Sequence, residues 1–412
     1  MRHVTVMVFV LLAFACTDRE LGREESGVRV EAGTRVEPID TPSGDGASAP
    51  SLSATSAGVV VMSWLEPVSG TDRVAVRVAE YRDGRWSPAS NVVERNDLFV
   101  NWADFPSVVG DANGTLFAHW LQKSGPGTYA YDVRMSVSGD RGKSWSAPFL
   151  LNRDGTKTEH GFATLAPLPG GGVGATWLDG RNMKPGAHEH DAGEMTLRYA
   201  TVDAAGSIGE DVELDSRACE CCTTGMAMPA AGPVIVYRDR TAGEIRDISY
   251  VTKGSEGWSA PRTLHPDGWK IDGCPVNGPQ IDAIGTRAAA AWFTAAGELG
   301  RVYVTFSGDG GGTFAPPLRV DDGNPAGRVD IVMLDEETAL VAWLEQTPAG
   351  AEIRARRVQR GGDAIASVKI ADSSTARAAG FPRLARVGGE VWFAWTDQTA
   401  TTKRIRLARR RF

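Results

Sequence analysis

Two stretches of this sequence, SVSGDRGKSW at 136–145 and TFSGDGGGTF at 305–314, follow one pattern. Both carry Ser, Asp, Gly and an aromatic residue at the same spacing: Ser138, Asp140, Gly142 and Trp145 in the first, and Ser307, Asp309, Gly311 and Phe314 in the second. In a tight turn, an Asp side chain bonds the amides of its own turn, and Gly supplies a positive φ. The pattern therefore predicts the same turn twice, with the aromatic ring packed against a sheet.

These turns belong to a longer repeat in the chain. Seven stretches run from an apolar segment through a turn to an apolar strand that ends at Trp64, Trp120, Trp177, Tyr237, Trp292, Trp343 or Trp395. The anchors recur every 50 to 60 residues or so, a period typical of a propeller blade of four antiparallel strands. The chain also holds 48 glycines and 12 tryptophans and shows no sustained helical period. We predict an all-β, seven-bladed β-propeller in which the aromatic anchors pack between blades.

The seventh repeat is incomplete, because only KRIRLARRRF at 403–412 follows its second strand. Its outermost strand must come from elsewhere in the chain. Residues 27–40, GVRVEAGTRVEPID, have a strand-like pattern and no blade of their own. We predict that 27–40 pairs with the strand containing Ile405 and Leu407, which makes 27–412 a single propeller domain without exposed edges.

The Ser-x-Asp-x-Gly-x-x-aromatic turns resemble the Asp-box, or BNR repeat, of the sialidase superfamily. The resemblance implies a structural turn between the third and fourth strands of a blade. Degenerate copies stand at 83–86 (DGRW) and 254–258 (GSEGW). Because sialidases have six blades, a six-bladed ring is the alternative to the seven that the repeats indicate.

The N-terminus has the pattern of a secretory signal. Residues 1–16 begin with Arg2, continue through an apolar run and end in Ala-Phe-Ala-Cys16, which is similar to a bacterial lipobox. We expect a signal peptide at 1–16, lipidation of Cys16, a tether at 17–26, and export to the bacterial periplasm or cell surface. The lipid anchor would be the sole membrane contact. Ordinary secretion with cleavage near Ala15 is the alternative.

Charge excludes one class of partner. The formal net charge is −7, and the chain has no basic stripe apart from Arg404 to Arg411. Nucleic acid is therefore not an expected ligand. We expect a monomer that binds a polar small molecule, a glycan or a peptide.

Loops that lead into the first strand of a blade, and loops between its second and third strands, lie on one face of a propeller. In this chain the unusual residues of those loops collect in blades two to five. Arg181, Arg238 and Arg240 could grip a carboxylate through paired hydrogen bonds, with Trp102 and Asn277 beside them. We predict that this top face binds a polar or anionic ligand.

Catalysis is an alternative that the resemblance raises. Sialidases use an arginine triad, a Tyr/Glu nucleophile pair and an Asp acid, and here Asp104, Asp179 and Asp239 are the acid candidates. This sequence lacks the Phe/Tyr-Arg-Ile-Pro stretch of many sialidases, and no mouth-loop tyrosine is clearly paired with a glutamate. An exo-α-sialidase activity therefore stays the second interpretation.

Cysteines and histidines of the same sector offer a third interpretation. Those residues are His160, His188, His190, Cys219, Cys221, Cys222 and Cys274. Thiolates and imidazoles suit copper or zinc, although the spacing matches no familiar zinc signature. An exported chain with an even cysteine count favours disulfides instead, so we expect Cys274 to be linked to the 219–222 cluster and expect no cofactor.

The second strands also end in a polar residue blade after blade: Glu66, Gln122, Asp179, Asp239, Thr294, Glu345 and Asp397. If these side chains line the mouth, they form an acidic ring. If they cap turns, they face water and have no ligand. The sequence leaves both interpretations open.

Overall fold

The computed structural model describes Met1 and residues 35–184, 193–362, 364–398 and 402–412. Strands of the first three blades are β2 (Ser48–Ala54), β3 (Val60–Pro67), β4 (Val74–Arg82), β5 (Arg85–Trp86) and β6 (Ser90–Arg95); β7 (Ser107–Gly110), β8 (Leu116–Lys123), β9 (Tyr131–Ser138) and β10 (Phe149–Leu150); β11 (His160–Pro167), β12 (Val173–Asp179), β13 (Thr196–Val202) and β14 (Val212–Asp215). Within each blade the strands pair antiparallel in sequence order, except that β5 and β6 of blade one both pair with β4.

The remaining four blades repeat the pattern. Their strands are β15 (Gly225–Ala227), β16 (Val234–Arg238), β17 (Ile248–Gly254), β18 (Gly257–Trp258) and β19 (Arg262–His265); β20 (Gln280–Ile284), β21 (Arg287–Thr294), β22 (Arg301–Ser307) and β23 (Leu318–Arg319); β24 (Pro325–Met333), β25 (Thr338–Thr347), β26 (Gly350–Gln359) and β27 (Val368–Ser373); β28 (Arg383–Val387), β29 (Glu390–Gln398), β30 (Lys403–Arg411) and β1 (Glu37–Ile39). Two short 3-10 turns, Ala296–Glu298 and Arg377–Ala379, are the helical segments of the described chain. No described helix is long and apolar enough to cross a membrane.

The blades form a closed ring. The first strand of each blade contacts the first strand of the next, and β28 of the last blade contacts β2 of the first. Seven separate sheets stand around this ring. The all-β, seven-bladed prediction is confirmed, and the six-bladed alternative is wrong for this chain.

The last blade takes its outermost strand from the N-terminal part of the chain. β1 pairs antiparallel with β30, with Glu37 opposite Arg409 and Ile39 opposite Leu407. The Arg409 guanidinium adds an ion pair, with Nε 2.9 Å from Glu37 Oε2. The first part of the proposed closing segment, 27–34, lies outside the described residues, as do the signal peptide and Cys16.

The two Asp-box turns connect the third and fourth strands of blades two and five. In the first, Ser138 Oγ donates to Asp140 Oδ1 at 2.8 Å and accepts from the Gly142 amide at 2.8 Å. Asp140 Oδ1 also accepts from the Ser144 amide at 2.9 Å. The same bonds recur around Ser307 and Asp309. Both turns face away from the ends of the strands at which the blades are entered, so they support the blades without lining the top face.

The aromatic anchors lie between blades, as the repeat predicted. Trp64, Trp177, Trp292 and Trp343 are fully buried, and Tyr237 replaces tryptophan in blade four. In three blades the carboxylate two residues later accepts the indole N–H: Glu66 at 2.9 Å, Asp179 at 2.8 Å and Glu345 at 2.6 Å. The recurrence of acidic residues at these strand ends thus has an internal cause. In those three blades the carboxylate satisfies a buried donor, and the acidic-ring interpretation is not needed.

Candidate functional site

A polar cavity of about 110 Å³ lies on the propeller axis near the top face, which is the face where each blade is entered. Its lining comes from six of the seven blades and includes Ser51, Asp104, Ser107, His119, Thr164, Thr223, Thr224, Gln280 and Arg383. Hydroxyl, amide, imidazole and guanidinium groups therefore meet in one concave place. We call it the central cavity.

A second concavity of about 360 Å³ lies on the same face between blades one and seven. Its lining comprises Ser48, Ala49, Val100, Asn101, Trp102, Arg377, Ala378, Gly380, Thr396 and Lys403. We call it the top cleft. The loop that leads into β7 lines both spaces, because Asn101 and Trp102 face the cleft while Ala103 and Asp104 face the central cavity. The two concavities are therefore neighbours.

Asp104 lies at the cavity in a buried cluster with Tyr131 and Glu159. The Tyr131 hydroxyl is 3.2 Å from Asp104 Oδ2 and 2.9 Å from Glu159 Oε1. Asp104 Oδ2 also accepts from the Phe162 amide at 2.8 Å. Gly161 makes room for this cluster, since a Cβ there would meet Asp104 Oδ2 at 2.0 Å.

Burial favours the neutral forms of both acids. It raises the pKa of Asp104 to about 7 and that of Glu159 to about 8, against the hydrogen bonds that each accepts. Burial also raises the pKa of Tyr131 well above its usual value. The Tyr131 hydroxyl lies within hydrogen-bond distance of both carboxyl groups, so the three side chains form one buried hydrogen-bonded cluster.

Two further groups define the chemistry of the central cavity. The His119 ring accepts or donates at Nδ1 with Ser107 Oγ at 2.9 Å. Burial lowers the pKa of His119 to about 4, so the ring is neutral near pH 7. Arg383 Nε lies 3.3 Å from Asp330 Oδ2, and its guanidinium lies 5.5 Å from the Phe105 ring centre. The cavity thus presents the Arg383 guanidinium, which is paired with Asp330, beside hydroxyl, imidazole and carboxyl groups.

The predicted ligand-binding arginines each have partners within the protein. Arg181 Nη2 lies 2.7 Å from Asp179 Oδ2 and 2.9 Å from Asp211 Oδ2, whereas Arg240 pairs with Glu220 and Glu244. Arg238 is 1% exposed and donates to backbone carbonyls instead. The three guanidiniums share no partner in the described chain. Each arginine therefore has a structural contact of its own, and the clamp stays a prediction.

The other predicted site residues also have internal partners. The Asn277 carbonyl accepts from Arg238, and its Oδ1 accepts from the Arg328 amide at 2.7 Å. Asp239 accepts from Ser249 Oγ at 2.8 Å. Trp102 stacks on Phe381 at 5.9 Å between ring centres, yet it also lines the top cleft. Of the residues predicted to bind ligand or act as the acid, Trp102 lines the top cleft and Asp104 lines the central cavity.

His160 occupies a carboxylate cage. Its Nε2 lies 2.9 Å from Asp154 Oδ2 and 3.5 Å from Asp179 Oδ1, and its Nδ1 is 3.2 Å from the Tyr131 and Thr158 carbonyl oxygens. Burial opposes ionisation, but the bonds and charges of the two aspartates prevail and raise the pKa of His160 to about 10. The raised pKa favours an imidazolium that forms an ion pair with these two aspartates. His188 and His190 lie outside the described residues.

The cage makes stability sensitive to alkali. Folding raises the pKa of His160. The ion pairs of the imidazolium therefore contribute fully to the free energy of unfolding below about pH 6.5, and this contribution is lost as the pH rises toward 10. We expect the free energy of unfolding to fall across this range by up to about 1.4 kcal/mol per pH unit for this proton. Denaturant titrations at several pH values measure it. His160→Gln should flatten the profile, and an unchanged slope in that variant would contradict the assignment.

Cys219, Cys221, Cys222 and Cys274 come together at the boundary of blades four and five. Cys219 Sγ lies 2.9 Å from Cys222 Sγ and 3.9 Å from Cys221 Sγ, and Cys221 contacts Cys274. The structure has no disulfide between Cys274 and the cluster, and all four described cysteines are unbridged. The sequence therefore located the cluster, and the structure shows it with its thiols unbridged.

Sequence reasoning missed most of the central cavity. The predicted site residues did not include His119 and Arg383, which line the cavity, or Tyr131 and Glu159, which form the buried cluster with Asp104. The signal that could have found Glu159 is its place one residue before His160, in a loop already predicted for the top face. Arg383 begins the first strand of blade seven, a position equivalent to Gln280 in blade five, and this equivalence was available from the repeat.

No protein-family model matches the sequence, and no curated protein is detectably related to it. Solved structures do match. The polysaccharide lyase Uly1 is 9% identical with a TM-score of 0.54, over 88% of this chain and 90% of the other. The α-L-arabinofuranosidase Arb93A of Fusarium graminearum is 12% identical with a TM-score of 0.51, over 92% and 98%. A leech intramolecular trans-sialidase is 11% identical with a TM-score of 0.47, over 92% and 70%.

These likenesses concern the fold, because the identities are low. The TM-scores of 0.54 and 0.51 over most of both chains show that the lyase and the arabinofuranosidase share the overall fold. The chain is therefore an all-β β-propeller with seven blades.

Proposed function

We propose that this protein is an exported propeller that binds an anionic glycan in the top cleft and the adjoining central cavity. The observation that carries the proposal is a pair of cations. Lys403 and Arg377 line the top cleft, and neither forms a salt bridge within the part of the chain that the structure describes. Many other arginines of the described chain are paired with carboxylates. A ligand carboxylate or sulfate would supply the missing partner.

Of the two cations, Lys403 gives the stronger support for an anionic ligand. It is half-buried at the start of β30, and burial lowers its pKa. Holding an ammonium group away from water without a partner is unfavourable. An anionic ligand would offset that cost, and the charge-assisted hydrogen bond would favour binding.

A carbohydrate fits the rest of the surface. Trp102 offers a half-buried aromatic ring beside the cations, and the central cavity offers the hydroxyl and amide groups of Ser107, Thr164, Thr224 and Gln280. Binding sites often combine apolar or aromatic walls with a few placed polar groups. Two structural neighbours, the lyase Uly1 and the arabinofuranosidase Arb93A, are named as enzymes of carbohydrates.

The structure favours binding over sialoside cleavage. Tyr131 and Glu159 are a Tyr/Glu pair with Asp104 beside them, which resembles the sialidase set in residue type. However, Tyr131 is 1% exposed and Glu159 is 6% exposed, so a glycoside cannot reach the phenol oxygen. Burial also holds the pKa of Tyr131 high, which makes it a poor nucleophile. We expect no release of sugar from an aryl sialoside.

Replacing Lys403 tests the proposal. We expect Lys403→Ala to weaken binding of sialyllactose or of a glucuronate-containing oligosaccharide by at least about tenfold, because a hydrogen bond to a charged group is lost. Isothermal titration calorimetry measures the affinity. Neutral lactose should bind the wild-type protein more weakly than its sialylated form.

Lys143→Ala is the matched control, since Lys143 is an exposed lysine in an Asp-box turn away from the top face. It should leave affinity unchanged. Both variants should keep the wild-type melting temperature. Equal affinity of wild type and Lys403→Ala, or equal affinity for lactose and sialyllactose, would contradict an anionic-glycan site in the cleft.

Export and anchoring rest on the sequence of residues 1–16. We propose that the chain is cleaved before Cys16 and that lipid on this cysteine holds the propeller at the membrane, with 17–26 as the tether. Such an arrangement would present the top face to glycans outside the cytoplasm. Metabolic labelling with a fatty-acid analogue, lost in Cys16→Ser, tests it.

A further inference from the structure

Four cysteines form a compact sulfur cluster outside the glycan site. Three of them come from one short segment, Cys219-Glu220-Cys221-Cys222, which leads into blade four. Cys274 comes from the segment that leads into blade five. Among the described residues, the sulfurs of Cys219, Cys221 and Cys222 all lie within 4.8 Å of one another. Cys274 contacts Cys221 from the other side of the blade boundary.

The backbone holds this cluster in place. The Cys219 amide donates to the Arg238 carbonyl at 3.0 Å, and Ala218 forms a bridge with Asp239 at the end of β16. Cys219 is 0% exposed and Cys222 is 2% exposed. Cys274 is exposed, so one side of the cluster is open to solvent. A preformed sulfur site with one open side has an entrance for an ion.

The charges around the cluster suit a thiolate complex. Arg246 Nη1 lies 3.4 Å from Cys219 Sγ and 2.8 Å from Glu220 Oε2. Arg238, which is also buried, approaches Cys222 from the neighbouring strand. A metal ion bound by three or four thiolates carries net negative charge, and groups around a metal site stabilise its first ligands. Arg246, which also pairs with Glu220 and Glu244, and Arg238 would offset part of that charge.

We propose that Cys219, Cys221, Cys222 and Cys274 bind one thiophilic closed-shell metal ion, Zn²⁺ or Cu⁺. Soft thiolate ligands select these ions. In a tetrahedral zinc site with Zn–S bonds of about 2.3 Å, the sulfurs stand roughly 3.8 Å apart. The 3.9 Å between Cys219 and Cys221 agrees with this spacing, while Cys219 and Cys222 must separate by about 1 Å from their 2.9 Å contact.

The donor set is sulfur alone. His160, the described histidine of the predicted metal set, is enclosed by Asp154 and Asp179 instead. The proposed ion would join the segment before blade four to the segment before blade five. It would therefore stabilise the ring at a place where the two blades have no shared strand.

Elemental analysis of the full chain tests the site. The protein is isolated with its own leader, without chelator or added reductant, and its zinc and copper contents are measured. We expect about one equivalent of one of the two ions, and which of them is found decides between zinc and copper. Cobalt substitution of the metal-free protein should give the intense visible bands of tetrahedral thiolate-bound Co²⁺.

Cysteine variants locate the ion. Cys219→Ser and Cys222→Ser should each reduce the metal content at least tenfold and abolish the cobalt bands, whereas Cys16→Ser should leave both unchanged. If a variant of a buried cysteine fails to fold, Cys274→Ser provides the test, because Cys274 is exposed. This variant should bind zinc at least tenfold more weakly, as measured by competition with a chromophoric chelator. Full metal content in Cys274→Ser would overturn its place in the set.

Disulfides are the competing outcome. Intact-mass measurement of the same material would then show the loss of two hydrogens per bridge, and peptide mapping would link Cys219 to Cys222 or Cys221 to Cys274. Quantitative bridges in protein that holds neither zinc nor copper would overturn the metal proposal.

Discussion

Deleting residues 404–412 is expected to abolish cooperative folding of the whole ring. This segment forms nearly all of β30, which pairs on one side with β29 and on the other with β1. Its side chains Ile405, Leu407 and Ala408 are at most 2% exposed. Burial of one large aliphatic side chain contributes about 1.5–3 kcal/mol, and the deletion also unpairs two strands. The loss is comparable with the total stability of a domain, about 5–15 kcal/mol.

Thermal unfolding followed by circular dichroism, together with gel filtration, measures this result. The truncated chain should be aggregated or should lack a sharp transition, because β29 and β1 become exposed edges. Arg406→Ala is the matched control on the same strand, since Arg406 is exposed and makes one surface ion pair with Asp397. That variant should lose less than about 1 kcal/mol. A soluble truncation with the wild-type melting temperature would show that ring closure contributes little.

The closing strand also shows why the fold could be predicted. The seven aromatic anchors recur because each blade must bury the same face against its neighbour, and a sequence repeat records that requirement directly. The missing outer strand of blade seven followed from counting strands, and the pairing of Ile39 with Leu407 lies within the predicted segment. Both predictions, the seven blades and the closing strand, depend on a periodic pattern that can be seen in a single sequence.

The site was less predictable, because function in this ring depends on which polar groups find partners. Arg181, Arg238 and Arg240 were selected for their residue type and their loops, and the structure gives each of them internal acceptors. Lys403 and Arg377 looked ordinary in the sequence, yet they are the cations that line a cleft without a carboxylate. The partner of each charged side chain depends on packing between residues that are far apart in the sequence. Neither the spacing of motifs nor the composition shows this packing.

Arg238 carries the second large prediction. Its Nε and Nη2 donate to the Asn277 carbonyl at 2.9 and 2.7 Å, Nη1 donates to the Arg246 carbonyl at 2.5 Å, and Nη2 also reaches the Phe293 carbonyl at 2.7 Å. Its guanidinium carbon lies 4.7 Å from the Trp269 ring centre. One side chain thus joins the ends of blades four and five through three backbone acceptors.

Arg238→Ala should therefore lower the free energy of unfolding by about 3–5 kcal/mol, because each buried acceptor left without a donor costs about 1–3 kcal/mol. Denaturant unfolding measures the change. Arg262→Ala is the matched control: its guanidinium also lies 4.7 Å from an aromatic ring centre, that of Tyr250, but Arg262 is exposed. That variant should lose less than about 1 kcal/mol.

The same variant separates the structural interpretation from the ligand clamp predicted from the sequence. If Arg238 belonged to a ligand clamp, the Arg238→Ala protein would lose affinity for the ligand with almost no change in its free energy of unfolding. A structural arginine loses stability first, and Arg238→Lys should recover only part of it, since a single ammonium cannot reproduce the planar fork that reaches three carbonyls in fixed directions. If Arg238→Ala keeps near-wild-type stability but no longer binds sialyllactose, Arg238 is a ligand-binding residue and the structural interpretation is wrong. The carbonyl oxygens of Asn277, Arg246 and Phe293 would then need donors from elsewhere.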